Sequence, residues 1–244
     1  MKTANFAGLR CGYFRGVKAT AFFSDQQSEK APRPPAFNRG MLVLCSVLAL
    51  MLAGCTSESN KPEEPAKPET KGPELITARS GFQKVYIAAR GWNADARPYR
   101  LSSVATSDGN GHDGKWAVWV GSFASPSTQR EINFTWSGST AQGAPSPGIN
   151  RGSEDTYSPS NANTKVWDMA FLKIDSDQAF TEAQKHGGDK VLEKTPDTPV
   201  TYVCDWNHNT NELIWHVIYG ANREGAKLTV SVNASTGAFI RVEK

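Results

Sequence analysis

Residues 115–124 read Lys-Trp-Ala-Val-Trp-Val-Gly-Ser-Phe-Ala, and residues 212–219 read Glu-Leu-Ile-Trp-His-Val-Ile-Tyr. Both runs are rich in aromatic and β-branched residues, so each predicts a β-strand. In each run a tryptophan, Trp119 or Trp215, is followed four residues later by another aromatic residue. We expect both tryptophans to lie at the centre of the core, since they are the largest apolar side chains of their strands.

The distance from each tryptophan to the next predicted strand is also repeated. Ile132 follows Trp119 by 13 residues, and Leu228 follows Trp215 by 13 residues. We therefore interpret the body of the protein as an internal duplication of one unit, a helix followed by an antiparallel meander. This pattern predicts an α+β fold in which each sheet packs one face on its helix.

In the first half, residues 77–90 predict a helix. Thr77 or Ser80 is the expected N-cap, and Gly91 follows the last turn. One apolar stripe runs along the helix and is formed by Phe82, Val85, Tyr86 and Ala89. The predicted strands that follow are residues 99–105, 115–124 and 130–136.

In the second half, residues 166–174 predict a short strand that leads into a helix. Asp175 is the expected N-cap of that helix, with Gln178 completing a capping box, and residues 186–188 are its expected end. The predicted strands that follow are residues 200–206, 212–219, 227–233 and 238–242.

The stretch between the two halves, residues 139–165, is rich in Ser, Gly, Pro, Asn and Thr and has no hydrophobic period. It predicts a connecting loop, which is long for a compact domain. Two interpretations stay open: a mobile linker between half-domains, or a loop that binds or covers a ligand.

Residues 41–54 form an apolar run of 14 residues, which is too short to span a membrane and suits the core of a signal peptide. The run ends Leu52-Ala-Gly-Cys55, which resembles a bacterial lipobox. The resemblance implies cleavage between Gly54 and Cys55, with lipid attached to Cys55 and acyl chains in a bilayer. The alternative is a buried helix that ends in Ala-Gly-Cys by chance.

The net charge of the chain changes sign when residues 1–54 are excluded. The whole chain is +3, but the leader contains seven basic and two acidic residues, so the remainder is −2. A basic surface for nucleic acid is therefore not expected. The next residues, 55–73, are rich in Pro and charge and predict an extended tether. The predicted segments are thus the leader 1–54, the tether 55–73, a first unit 74–138, the connecting loop 139–165 and a second unit 166–244.

The second unit resembles a PepSY domain. The resemblance rests on Asp177-Gln-Ala-Phe-Thr-Glu-Ala, Leu213-Ile-Trp-His-Val, Leu228-Thr-Val-Ser-Val-Asn and Thr236-Gly-Ala-Phe-Ile. It implies a cystatin-like arrangement, a helix wrapped by an antiparallel sheet. It also implies a place outside the cytoplasm and a role as a modulator of peptidases.

The sequence contains few candidate catalytic or metal-binding residues. The four histidines lack the spacing of a zinc site, and no nucleophile, phosphate-loop or dinucleotide motif occurs, so no cofactor and no catalytic residue is expected. Cys204 predicts a small buried hydrophobe. Asp108, Asn110 and Asp113 resemble part of a calcium loop but lack the acidic twelfth position. The candidate binding residues are Trp116, Trp136 and His216, of which His216 is expected to be a half-exposed strand residue.

These observations predict a lipid-anchored extracytoplasmic protein that binds or modulates a protein or peptide partner, such as a peptidase or envelope protein. The alternatives are a small-ligand carrier with a pocket between the two sheets and a hydrolase with an unrecognised site. Thr56, rather than an aspartate, follows Cys55. By resemblance to Gram-negative sorting signals, this favours the outer membrane.

Overall fold

An antiparallel sheet of eight strands is the centre of the structure, a computed structural model that describes residues 72–243. The strands are β1 (Ile76–Thr77), β2 (Arg97–Ser103), β3 (Lys115–Trp116), β4 (Val118–Ser125), β5 (Arg130–Ser137), β6 (Gly148–Thr156), β7 (Val200–Asn207), β8 (Glu212–Tyr219), β9 (Leu228–Asn233) and β10 (Phe239–Glu243). The α-helices are α1 (Ala78–Trp92), α2 (Ser176–Ala183) and α3 (Asp189–Lys194). The α+β class is confirmed. Within residues 72–243, no helix combines the length and the apolar character of a membrane span.

The large sheet has the order β10-β9-β8-β7-β2-β4-β5-β6, and β1 pairs separately with β3. Each half of the large sheet is a meander of four strands, and the two meanders join where β2 pairs with β7. At this seam Leu101 lies opposite Cys204, and Ser102 lies opposite Val203. The expectation of two separate sheets was wrong, because the first strands of the two halves hydrogen-bond to each other.

The helices cover one face of this sheet. Helix α1 packs on β4 and β5, and α2 packs on β8 and β9. Trp119 and Trp215 lie under these helices with 0% of their surface exposed, which confirms both as core residues. Each indole Nε1 donates a 2.9 Å hydrogen bond to a carbonyl two residues before its helix, that of Ile76 or Ile174. The polar edge of each buried indole is therefore satisfied.

The predicted apolar stripe of α1 is buried against the sheet, with Tyr86 only partly covered. The helix approaches closely because Gly81 faces Trp119. A Cβ atom at position 81 would lie 2.7 Å from the indole ring, so a side chain there would push helix and strand apart. Gly81 thus sets the helix-to-sheet distance at the core tryptophan.

The N-terminus of α1 is capped by residues from the other half of the chain. Thr77 occupies the N-cap position but makes no side-chain capping bond, so the expected cap by Thr77 or Ser80 was wrong. Instead, the Ala78 amide donates to Ser176 Oγ and the Arg79 amide donates to Asp175 Oδ1, each at 2.9 Å. Two of the four otherwise unpaired amides of α1 are thereby satisfied.

Asp175 also caps its own helix, as predicted. Its Oδ1 accepts the Ser176 amide at 2.7 Å, and Gln178 Oε1 accepts the Asp175 amide at 3.0 Å, which confirms the capping box. One carboxylate therefore serves the N-termini of two helices, where negative charge is also favoured by both helix dipoles.

The stretch predicted as an unstructured connecting loop, residues 139–165, contains β6. This strand pairs with β5 at the sheet edge, and nearly all of its residues are exposed. The prediction was wrong here because a strand exposed on both faces has polar residues on both faces and shows no alternation of polar and apolar residues.

Two other local predictions were also wrong. Residues 166–174 do not form a strand. They contain a 3-10 turn at Met169–Phe171, and their apolar residues Trp167 and Leu172 are buried. Residues 186–188 do not end the helical region: the helix kinks at Gly187, whose φ is +106°, and resumes as α3. Glycine permits this left-handed backbone at the kink.

We predict that Asp175→Ala lowers the free energy of unfolding by about 2 kcal/mol, because two helix N-termini lose an acceptor. Urea denaturation measures this. Hydrogen exchange of the Arg79 amide in α1 should become faster as well. The matched control is Asp189→Ala in the first turn of α3, whose side chain accepts the Lys190 amide of its own helix, and it should leave Arg79 exchange unchanged. An unchanged Arg79 exchange rate in Asp175→Ala would contradict the shared cap.

Candidate functional site

The face of the sheet opposite the helices carries a groove at the seam between the two meanders. Its volume is about 410 Å³. Residues of β2, β7 and β8 form its floor, and the loop after β8 forms its rim. The lining residues are Arg100, Ser102, Ser103, Thr201, Val203, Ile218, Ala221, Asn222, Arg223 and Glu224. We call this feature the seam groove.

Strand alternation explains which side chains line the seam groove. Leu101 and Cys204 are paired across the seam and point toward the helices, where both are fully buried. Their neighbours along the strands point the other way, since successive side chains alternate across a sheet. The register then places Arg100 opposite Asp205 and Ser102 opposite Val203 on the face without helices.

A charged cluster lies beside the seam groove on the same face. His216 pairs with Val203 in the β7–β8 register, so it projects next to the groove floor. Its Nε2 lies 3.1 Å from Asp205 Oδ1, and its Nδ1 contacts Glu243 Oε1. Ser231 Oγ also donates to Glu243 Oε1, at 2.6 Å. We call His216, Asp205, Glu243 and Ser231 the histidine cluster.

The histidine cluster stabilises the charged forms of its members. Burial lowers the pKa of His216, but the hydrogen bonds with Asp205 and Glu243 raise it by a larger amount. The net pKa of His216 is therefore above the usual 6.5. Burial raises the pKa of Asp205, and the bond with His216 more than offsets this, so the pKa falls below 3.8. Burial also raises the pKa of Glu243, but the contacts with His216 and Ser231 lower it by more, to about 2. The cluster is thus an imidazolium held between two carboxylates.

This arrangement limits what His216 can do chemically. In the charged form that the cluster favours, both ring nitrogens donate to carboxylates, so no lone pair is free to accept a proton. Ser231 donates to Glu243 rather than to the imidazole, and its surface is 0% exposed. The geometry therefore differs from a nucleophile activated by histidine.

Two larger hollows lie at one end of the body. One, of about 530 Å³, is lined by residues 104–107, 109–110 and 141–145 with Trp116, Asp197 and Pro199. The other, of about 580 Å³, shares Asp197 and Pro199 with it. Loops form most of their walls. The seam groove is the stronger candidate because hydrogen-bonded strands fix its floor and two arginines line it.

The three aromatic and histidine residues predicted for binding are not on the surface. Trp116 is 0% exposed and donates its Nε1 to the Val200 carbonyl at 2.8 Å. Trp136 is 4% exposed under α1, and His216 is 6% exposed rather than half-exposed. The expectation that His216 is half-exposed was wrong, because the histidine cluster encloses it. Trp116 and Trp136 are core residues and do not present a recognition surface.

The remaining candidates have different outcomes. Cys204 is completely buried, as predicted, and burial raises the pKa of its thiol. Asp108 accepts hydrogen bonds from Thr106 and Ser139, whereas Asp113 accepts from Lys115. Among residues 72–243, no group of three or more His, Cys, Asp or Glu side chains is placed to hold a metal ion.

The lipidation and cleavage residues predicted from the sequence, Gly54 and Cys55, lie outside the described residues.

Sequence reasoning did not identify Arg100 and Arg223 as site residues. The only available signal for Arg100 was its place in a predicted strand opposite the apolar face. Arg223 lies in the loop between β8 and β9, where a charged residue is ordinary.

No protein-family model matches the chain, and no curated protein matches it. Among solved structures, the chain is similar to a protein of Clostridium difficile 630 described as a "putative lipoprotein". The identity is 11%, the TM-score is 0.46, and the match covers 67% of this chain and 91% of the other. Similarity at this level does not define a family or a function for the chain.

We predict that the histidine cluster makes stability depend on pH in two directions. Its contribution is greatest between about pH 4.5 and 6.5, the usual pKa values of glutamate and histidine. Below pH 4.5, Glu243 binds a proton in the unfolded chain but stays ionised in the folded protein until about pH 2. The stability of the folded protein therefore falls as the pH is lowered through this range. Above pH 6.5 the unfolded chain loses a proton that folded His216 retains, so stability again falls until His216 deprotonates.

Urea denaturation across this pH range measures both slopes. His216→Ala should cost about 2–3 kcal/mol near pH 6, because two partly buried carboxylates lose their cation, and should remove the alkaline slope. The control His208→Ala changes an exposed turn residue and should cost less than about 0.5 kcal/mol. An alkaline slope that persists in His216→Ala would contradict this assignment.

Proposed function

We propose that the chain is a lipid-anchored extracytoplasmic binding protein that receives a protein or peptide partner on the face of the sheet without helices. The observation that carries the proposal is the unequal covering of the sheet. Helices α1 and α2 pack on one face, while the other face presents the seam groove. Clefts of this size, with a few polar groups on a rigid floor, are typical of binding sites.

The sequence supports the anchored part of the proposal. The lipobox-like end of the apolar run predicts lipid on Cys55, and the tether at 55–73 would give the body reach from a bilayer. In a host with two membranes, Thr56 favours the outer membrane. A partner would then be another envelope protein, such as a peptidase.

We also propose that the two halves are copies of one PepSY-like unit. The register supports this, since Trp119 pairs with Trp136 and Trp215 pairs with Val232, and each pair is 17 residues apart in the chain. Each core tryptophan also donates to the carbonyl two residues before a helix. Independent sequences would have no reason to repeat both the register and this indole bond.

A small-ligand carrier is the second candidate. The volume of the seam groove, about 410 Å³, favours it, because small-molecule sites commonly enclose between about 300 and 1,000 Å³. A carrier would bind a small molecule without any protein partner. Native mass spectrometry of the protein purified from its own host separates the two candidates.

We predict that Cys55→Ser abolishes lipid attachment. Cells fed a labelled fatty acid should label the wild-type protein and place it in the membrane fraction, whereas the variant should be unlabelled. Cys45→Ala, which removes a thiol from the apolar run instead, is the matched control and should be labelled normally. Labelling of Cys55→Ser would contradict the anchor.

We predict that blocking the seam groove abolishes partner binding. Ala221→Trp places an indole at the exposed rim of the groove, and Ile87→Trp places the same group on exposed α1, on the other side of the sheet. Affinity capture from envelope extract should recover the same partner with wild type and Ile87→Trp, and lose it with Ala221→Trp. Equal recovery by all three proteins would contradict a site in the seam groove.

A further inference from the structure

We infer that the seam groove binds a ligand through an oxyanion, a carboxylate or a phosphate, held between Arg100 and Arg223. This inference rests on the binding function proposed above and names the chemistry of its site. Arg100 reaches the groove from β2, and Arg223 reaches it from the loop after β8. The two arginines therefore line one cavity from two different elements.

Both guanidinium groups retain donor capacity. A guanidinium carries five N–H donors in a planar fork that matches carboxylate and phosphate oxygens. Within residues 72–243, neither Arg100 nor Arg223 donates a side-chain hydrogen bond that meets normal geometry. The nearest ion pair joins Arg223 Nη1 to Glu243 Oε2 at 4.0 Å, the outer limit of such contacts. Donors that the protein does not use are available to a ligand.

The acidic residues near the arginines are engaged with other partners. Asp205 stands opposite Arg100 in the register, but its Oδ1 contacts His216. Glu243 Oε1 accepts from both His216 and Ser231. The histidine cluster thus holds both carboxylates in place, so they do not fold over the arginines as bidentate partners. The nearby acidic residues lower the net charge of the site, but they do not occupy the N–H donors of the two guanidinium groups.

The floor of the groove indicates the shape of the ligand. Val203 and Ile218 are buried apolar residues. The Thr201 hydroxyl donates a hydrogen bond to the Gly220 carbonyl oxygen. Ser103 Oγ accepts the Tyr202 amide at 2.9 Å, which fixes the edge of the floor. The lining therefore suits an oxyanion attached to an apolar body.

Glu224 on the rim limits the charge of that ligand. A carboxylate on the same loop as Arg223 repels an anion of high charge and attracts a cationic group. We therefore expect a singly charged oxyanion or a zwitterion, such as the free C-terminal end of a short peptide, to bind better than a multiply charged anion.

The experiment is a nuclear magnetic resonance titration of the protein from Cys55 onward, carrying Cys55→Ser so that it is not lipidated. The observed signals are the arginine Nε–Hε groups. The probes are acetate, inorganic phosphate, triglycine and triglycine amide, at constant ionic strength. Comparison of triglycine with its amide tests the carboxylate, and comparison with phosphate tests the other source of oxyanion.

The expected result is a saturable shift of the Arg100 and Arg223 signals with triglycine, and weaker binding of the amide. Arg100→Gln and Arg223→Gln should each weaken binding by about tenfold or more, as expected for loss of a charge-assisted bidentate contact. Arg90→Gln, on exposed α1, is the matched control and should bind like wild type. Binding of phosphate alone, with the same loss in both variants, supports an oxyanion site for phosphate.

Absence of a saturable shift with every probe would overturn the inference, as would wild-type affinity in both Arg100→Gln and Arg223→Gln. The spectra of the variants report directly whether they are folded. Failure here is distinguishable from failure of the proposed function. If Ala221→Trp still abolishes partner capture while no oxyanion binds, the groove is a binding site of different chemistry.

Discussion

The pairing of β2 with β7 is the interaction on which the rest of the structure depends. It joins two four-stranded meanders into one sheet and buries Leu101 against Cys204 on the side of the helices. Each meander alone would expose a long, regular edge, and such edges invite pairing with other chains. By pairing over Arg100–Ser102 and Val203–Asp205, the two halves shorten these edges and create a seam at the middle of the sheet.

The two faces of that seam have different physical characters. On the helix face, apolar side chains and satisfied indole groups form a closely packed core. On the other face, the strands present hydroxyl groups, Arg100 and the histidine cluster, and no helix within residues 72–243 packs there. The histidine cluster ties β7, β8, β9 and β10 together, so the charged face is ordered although it is open. An ordered, open and polar surface is suited to recognition.

Local sequence patterns predicted the elements whose signals are local. The stripe of Phe82, Val85 and Ala89 predicted α1, and the capping box of Asp175 predicted the start of α2. Strand β6 was not predicted, because a strand that is exposed on both faces lacks the alternation of polar and apolar residues that indicates a strand. The candidate site was not predicted for another reason. Arg100 and Arg223 line one groove only because β2 pairs with β7, and no local sequence pattern encodes that pairing.

The shared cap at Asp175 has a consequence for the order in which the chain acquires structure. Ala78 and its acceptor Ser176 are separated by 98 residues, and both helices draw on the same carboxylate. During synthesis or export, α1 emerges long before the side chains that complete its first turn. The first turn of α1 therefore lacks these acceptors until the second half has been made, and a cut between the halves would take them away from the first fragment.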